Sequence, residues 1–104
     1  MNIEFPEQQP KRRYTDRFDI LDAARDAVKQ REEHYGSPED NAANIAAGWS
    51  IILGVYVEPK KVAMALAWLK ISRLIHDDTH LDNWIDLAGY AAYGGEVALK
   101  DGTS

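Results

Sequence analysis

Apolar residues recur at helical spacing along four segments of the chain. In the first segment, residues 19–35, one stripe contains Ala24, Val28, Arg31 and Tyr35 at intervals of three or four residues. No segment sustains the alternation of apolar and polar residues that marks a strand. The pattern therefore predicts an all-α fold, a single four-helix domain with short connections.

Turn and capping residues indicate where these helices end. Gly36 is suited to end the first helix, Ser37 to cap the second, and Pro59 to occupy the first position of the third. A polar lead, residues 1–18, is predicted to form an N-terminal arm ahead of a helical domain at 19–104. The predicted helices span residues 19–35, 38–53, 59–75 and 80–99.

Two helices have unusual composition. The third is apolar on all sides between Val62 and Leu69, so we expect it to be the central and most buried helix. The fourth contains Gly94 and Gly95, where we expect it to kink or fray because glycine disfavours a helix interior.

Composition and charge exclude several classes of protein. The 104 residues carry a net charge of −5, which leaves no basic surplus for binding double-stranded nucleic acid. The chain has no cysteine, so disulfide scaffolds and thiolate zinc sites are excluded. It shows neither a signal peptide nor an apolar stretch long enough to span a membrane. We therefore expect a cytoplasmic protein without a membrane partner.

Two aspartates one turn apart predict a site for a cation. Asp82 and Asp86 share one face of the fourth helix, and Glu33 is a candidate third carboxylate. Oxygen ligands of this kind suit Mg²⁺, which also takes substrate phosphates as ligands. Other interpretations remain open, because Thr79 and Asp82 fit a capping box and Asp86 is suited to a salt bridge with a base of the third helix.

Basic, amide and aromatic side chains predict contacts to a phosphate-bearing ligand. Lys70 and Arg73 lie one turn apart on the third helix, and Arg can clamp a phosphate through two hydrogen bonds. Asn41 is suited to polar contacts with a substrate, and Tyr90 to stacking on a base. The alternative is that Lys70 and Arg73 pair with acids of the fourth helix, or extend so that their charged ends reach water at the rim of the domain.

Taken together, these residues resemble a family of small phage and prophage proteins classed as a domain of unknown function. The resemblance covers about residues 20–93, and the combined pattern is specific although no single piece of it is. The positions that carry it are Arg31, Tyr35, Gly36, Asn41, Ile45, Ala46, Trp49, Val62, Ala63, Leu69, Lys70, Arg73, His80, Asp82, Trp84, Asp86, Gly89 and Tyr90.

This family is distantly similar to the all-α, MazG-like nucleoside-triphosphate pyrophosphohydrolases, which hold Mg²⁺ with acidic residues of two helices. The resemblance implies a nucleotide ligand, Mg²⁺ as cofactor and a homodimer. The chain departs from the acidic motif, because Glu32 and Glu33 are adjacent rather than one turn apart. Asp82 and Asp86 are also four residues apart instead of three. The incomplete motif favours nucleotide binding over hydrolysis.

Three functions follow from these observations. The first is an Mg²⁺-dependent hydrolase, in which Asp82, Asp86 and Glu33 are the catalytic and metal-binding residues. The second is a protein that sequesters a nucleotide without turning it over. The third is a helical protein-interaction module, in which the same charges form structural ion pairs.

Overall fold

The protein is a bundle of four α-helices in a computed structural model that describes residues 13–100, except for the side chains of Pro38 and Glu39. The helices are α1 (Arg17–Tyr35), α2 (Pro38–Leu53), α3 (Pro59–His76) and α4 (Leu81–Lys100). The described residues contain no strand, which confirms the predicted all-α domain. Most of the predicted arm, residues 1–12, lies outside the described residues. No described helix is long and apolar enough to cross a membrane.

Capping residues fix both ends of α1 and the start of α2, and Gly36 and Ser37 among them are the predicted ones. The side chain of Asp16 accepts hydrogen bonds from the amides of Phe18 and Asp19 at the start of α1. The hydroxyl of Ser37 accepts one from the amide of Asp40 at 3.2 Å. Gly36 ends α1 with φ of 82°, a backbone conformation that side chains rarely adopt. These local contacts confirm the predicted break between α1 and α2.

Helix α4 is the central element, because it packs against each of the other three helices. It runs parallel to α1: Ala24 and Ile85 share a buried cluster, and a Cβ built on Gly89 would lie 3.4 Å from Val28. It runs antiparallel to α3, where Gly94 of α4 lies against Ala63. These directions determine which predicted site residues come together.

The core consists largely of small side chains, which lets the helices approach closely. Five of its nine apolar residues are alanines, and Val62 is the largest side chain that is fully buried. Helix α3 buries Val62, Ala63 and Leu74. The expectation that α3 is the central and most buried helix is wrong, because α4 is the helix that packs against the other three, and Met64 and Trp68 of α3 are 63% and 65% exposed.

Helix α4 continues through both of its late glycines to Lys100, so the expected fraying at this point is wrong. Gly94 has a packing role instead: a Cβ built there would lie 3.1 Å from the Cβ of Ala63 on α3. Gly95 faces open space. Tertiary contact with α3 therefore holds α4 helical where its intrinsic propensity is low.

Candidate functional site

A cavity of about 420 Å³ lies where residues of all four helices converge. Helix α1 packs on α4, while α2 packs mainly on α3, so the space between α1 and α2 is not filled by helix packing. The volume falls in the range of about 300–1,000 Å³ that is usual for small-molecule sites. The cavity is therefore the candidate binding site of this fold.

Apolar side chains and a few polar groups line this cavity. The apolar wall comes from all four helices, with Val28, Ile45, Leu66 and Ala92. The polar and aromatic groups are Arg31, Glu32, Tyr35, Asn41, Tyr90, Tyr93 and Glu96. Such a combination is typical of sites that take a partly apolar ligand and orient it with a small number of polar groups.

Arg31 and Tyr90 form the contact that connects α1 to α4 at the cavity. The guanidinium carbon of Arg31 lies 5.2 Å from the centroid of the Tyr90 ring, in cation–π range. This contact holds the guanidinium at the wall while its N–H groups stay able to donate hydrogen bonds. The pair therefore places a positive charge over one face of the Tyr90 ring.

Two of the residues predicted to bind substrate lie at this cavity. Asn41 lines it from the first turns of α2, and Tyr90 lines it from the middle of α4. Gly36 and Gly89 complete the wall where α1, α2 and α4 meet. Seven of the eighteen positions that carry the family resemblance thus line this cavity.

Lys70 lies elsewhere and is paired with Asp86. Its Nζ is 2.9 Å from a carboxylate oxygen of Asp86, and the two side chains are only 11% and 24% exposed. The predicted alternative of an ion pair between α3 and α4 is therefore present. Neither residue lines the cavity.

The three carboxylates predicted to hold Mg²⁺ do not meet within one chain. Because α1 and α4 are parallel with Val28 beside Gly89, Glu33 lies five residues beyond that level and Asp82 seven residues before it. At about 1.5 Å per residue, roughly 18 Å of helix axis separates them. No group of three acidic or histidine side chains among the described residues is placed to hold a metal ion. Within one chain, these three carboxylates are therefore not placed to share a magnesium ion.

Asp82 and Arg73 are exposed side chains near the loop that joins α3 to α4. Arg73 belongs to the last turn of α3 and Asp82 to the first turn of α4. Neither lines the cavity, and neither side chain forms an ion pair with a described residue. They are therefore separate from the cavity site.

The predicted capping box at the start of α4 is replaced by a different turn. Both the amide and the hydroxyl of Thr79 donate hydrogen bonds to the carboxylate of Asp77, at 3.0 and 2.6 Å. These bonds lower the pKa of Asp77 from its ordinary value, first through the hydroxyl and then through the amide. Trp84 fixes the same loop by donating to the carbonyl of Asp78.

Reasoning from sequence did not assign Arg31, Tyr35, Tyr93 or Glu96 to the site. A signal for Arg31 was present, because a charged residue on the core-facing stripe of α1 needs a partner or an opening. Tyr35 has the same position on that stripe, one turn later. No comparable signal marks Glu96, whose place at the cavity depends on the parallel packing of α1 and α4.

Comparison with known proteins finds that the chain is similar to a phage protein. It is 36% identical over 84 residues to "Gene 55 protein" of Mycobacterium phage L5, covering 79% of this chain and 54% of that protein. The chain thus spans about half the length of this relative. No solved structure matches this chain. A family profile described as "Domain of unknown function (DUF6378)" matches residues 19–98, nearly the whole helical region. The chain therefore belongs to the DUF6378 family, a family of unknown function.

Proposed function

We propose that this protein binds a nucleotide in the cavity between its four helices and does not turn it over. The observation that carries the proposal is the Arg31–Tyr90 pair at the wall of a 420 Å³ cavity. An arginine supplies the planar donors that match a phosphate, and the tyrosines supply surfaces on which a base stacks.

The charges at the cavity limit how anionic the ligand is. Arg31 is the cation among the described lining residues, whereas Glu32 and Glu96 are acidic. A triphosphate would bring several negative charges close to these carboxylates. We therefore infer a ligand with one or two phosphate charges, whose sugar hydroxyls or base amino groups donate to the two carboxylates.

The absence of turnover rests on the positions of the acids. Asp86 is engaged by Lys70, and Glu33 is remote from both aspartates within the chain. In the described part of the chain, no three-residue acidic group is placed for a metal. Binding needs the arginine and the aromatic wall, both of which line one cavity, and does not need a metal centre.

Isothermal titration calorimetry against nucleoside mono-, cyclic, di- and triphosphates, with and without Mg²⁺, tests this function. We expect a low-charge nucleotide to bind best, and Arg31→Ala to weaken it by roughly ten- to a hundredfold, since a hydrogen bond to a charged group contributes about 1.5–3 kcal/mol. Arg25→Ala is the matched control, because Arg25 is an exposed arginine on the same helix that does not line the cavity.

Two results would overturn the proposal. Absence of heat with every nucleotide, in a protein whose fold is verified by circular dichroism, removes nucleotide binding altogether. Steady release of pyrophosphate with Mg²⁺, abolished in Asp86→Asn, would restore the hydrolase function and the predicted role of that aspartate.

A further inference from the structure

The outer face of α3 carries an apolar stripe that no described residue covers. Met64, Trp68 and Ile75 are 63%, 65% and 78% exposed, and Ile71 lies between them, half-buried. The buried side of the same helix, with Val62, faces the rest of the bundle. Helix α3 is therefore apolar on two faces. The rest of the bundle covers the face with Val62, and no described residue covers the stripe.

The stripe has the spacing of a helix–helix seam. Met64, Trp68, Ile71 and Ile75 are separated by four, three and four residues. This is the heptad spacing at which apolar side chains of one helix fit between those of a partner helix. Apolar residues scattered singly on a surface need no explanation, but a regular row of them indicates a binding surface.

The apolar area of the stripe is consistent with an interface between two copies of α3. With about 200 Å² on each large side chain, the exposures of Met64, Trp68 and Ile75 leave roughly 400 Å² of apolar surface per copy. Two such stripes facing each other supply roughly 800 Å². The side chains that flank the stripe bring the total towards the roughly 1,000 Å² that a specific interface needs.

The charges at the two ends of α3 are complementary to those of a second α3 running the other way. Lys61 lies at its start and Asp78 just beyond its end, both exposed and without an ion pair to a described residue. In an antiparallel pair centred on Leu69 and Lys70, Lys61 faces Asp78, Met64 faces Ile75, and Trp68 faces Ile71. A parallel pair would place Lys61 beside its own copy.

We propose that a second copy of this chain covers the stripe, through an antiparallel α3–α3 contact about a two-fold axis. Every contact then occurs twice, as closed dimers require. The proposal does not depend on nucleotide binding, because none of the stripe residues lines the cavity. It gives the expected homodimer a defined surface and direction.

Light scattering after size-exclusion chromatography tests the surface. The unaltered chain is expected to elute as a dimer, and Trp68→Glu as a folded monomer, because a charge would have to be buried in the seam. Leu21→Glu is the matched control and should remain dimeric, since Leu21 is an exposed leucine on α1, outside the stripe. A monomer for the unaltered chain at every concentration overturns the proposal, as does a Trp68→Glu dimer.

Cysteine cross-linking tests the direction, since the chain has no cysteine of its own. When the Lys61→Cys and Asp78→Cys variants are mixed and oxidised, a disulfide should join the two different variants. Each variant carries a single cysteine, so the bond must join two copies. A disulfide that instead joins two copies of the Lys61→Cys variant would show a parallel pair and overturn the arrangement.

Removal of residues 1–12 distinguishes a second copy from the N-terminal segment as the occupant of the stripe. If a second copy covers the stripe, the shortened chain stays dimeric and Trp68→Glu still dissociates it. Dimerisation that appears only after this removal would show that the N-terminal segment occupies the stripe, and the proposal fails.

Discussion

At the scale of single residues, Lys70 and Asp86 connect α3 to α4 through a short ion pair that is largely shielded from water. Shielding strengthens the attraction but also makes each charge costly to hold alone. The pair therefore adds modest net stability while it is complete, and a large penalty follows when one partner is removed.

Asp86→Ala and Lys70→Ala are each expected to lower the free energy of unfolding by roughly 1–3 kcal/mol, because the remaining charge loses its partner. Replacing both residues, in the Lys70→Ala/Asp86→Ala variant, should cost less than the sum of the two single changes, because no unpaired charge is left. Urea unfolding followed by tryptophan fluorescence measures these differences.

The more exposed pair of Lys60 and Glu58, at 3.8 Å and with side chains 34% and 46% exposed, is the control for this cycle. Its coupling should stay below about 1 kcal/mol, as for surface pairs in general. Strictly additive effects at Lys70 and Asp86 would show that the ion pair does not hold the helices together.

Asp77 provides a prediction about pH. Its pKa is lowered from the ordinary 3.8 because Thr79 donates two hydrogen bonds to the charged carboxylate. A lowered pKa in the folded state means that the turn contributes stability above the unfolded pKa and loses it as pH falls through the folded one. In Thr79→Ala, the pKa of Asp77 should move back towards 3.8.

Carboxyl titration followed by NMR measures that pKa in both proteins. Thr15→Ala is the control, because its hydroxyl bonds to Asp19 and not to Asp77. An Asp77 pKa that is the same in Thr79→Ala and in the unaltered chain would exclude the hydroxyl as the main cause.

At the scale of helices, the two adjacent glycines of α4 have different surroundings. Gly95→Ala should raise the free energy of unfolding by about 1 kcal/mol, since alanine is the better helix former and nothing obstructs its methyl group. Gly94→Ala should lack that gain, because its methyl group would press on the buried Ala63 at 3.1 Å. Thermal unfolding of both variants gives the comparison.

Equal stabilisation by the two substitutions would show that α3 and α4 are not in close contact at this level. Destabilisation by Gly95→Ala would show that the chain is not helical around this residue, contrary to the observed extent of α4.

The ends of the helices were predictable because they depend on neighbouring residues. Ser37, Gly36 and Pro59 act within a turn of their own positions, and each is found in its predicted role. The burial of α3 was not predictable in the same way. An apolar run shows that several faces avoid water, but not whether the same chain or another one covers them.

At the scale of the whole molecule, the cavity follows from the directions of the helices. The parallel packing of α1 and α4 brings Arg31 to Tyr90 and keeps Glu33 away from Asp82. Sequence spacing identified Asn41 and Tyr90 as candidates. It had no means of grouping them with Arg31 and Glu96, because helix direction depends on contacts between distant segments.

The nucleotide is proposed to occupy this cavity rather than the region of Asp82 and Arg73. NMR chemical-shift mapping with the tightest-binding nucleotide distinguishes the two places. We expect the largest shifts at Arg31, Asn41 and Tyr90, and their loss in Arg31→Ala but not in Arg25→Ala. Shifts centred on Asp82 and Arg73, with the cavity residues unchanged, would contradict this proposal.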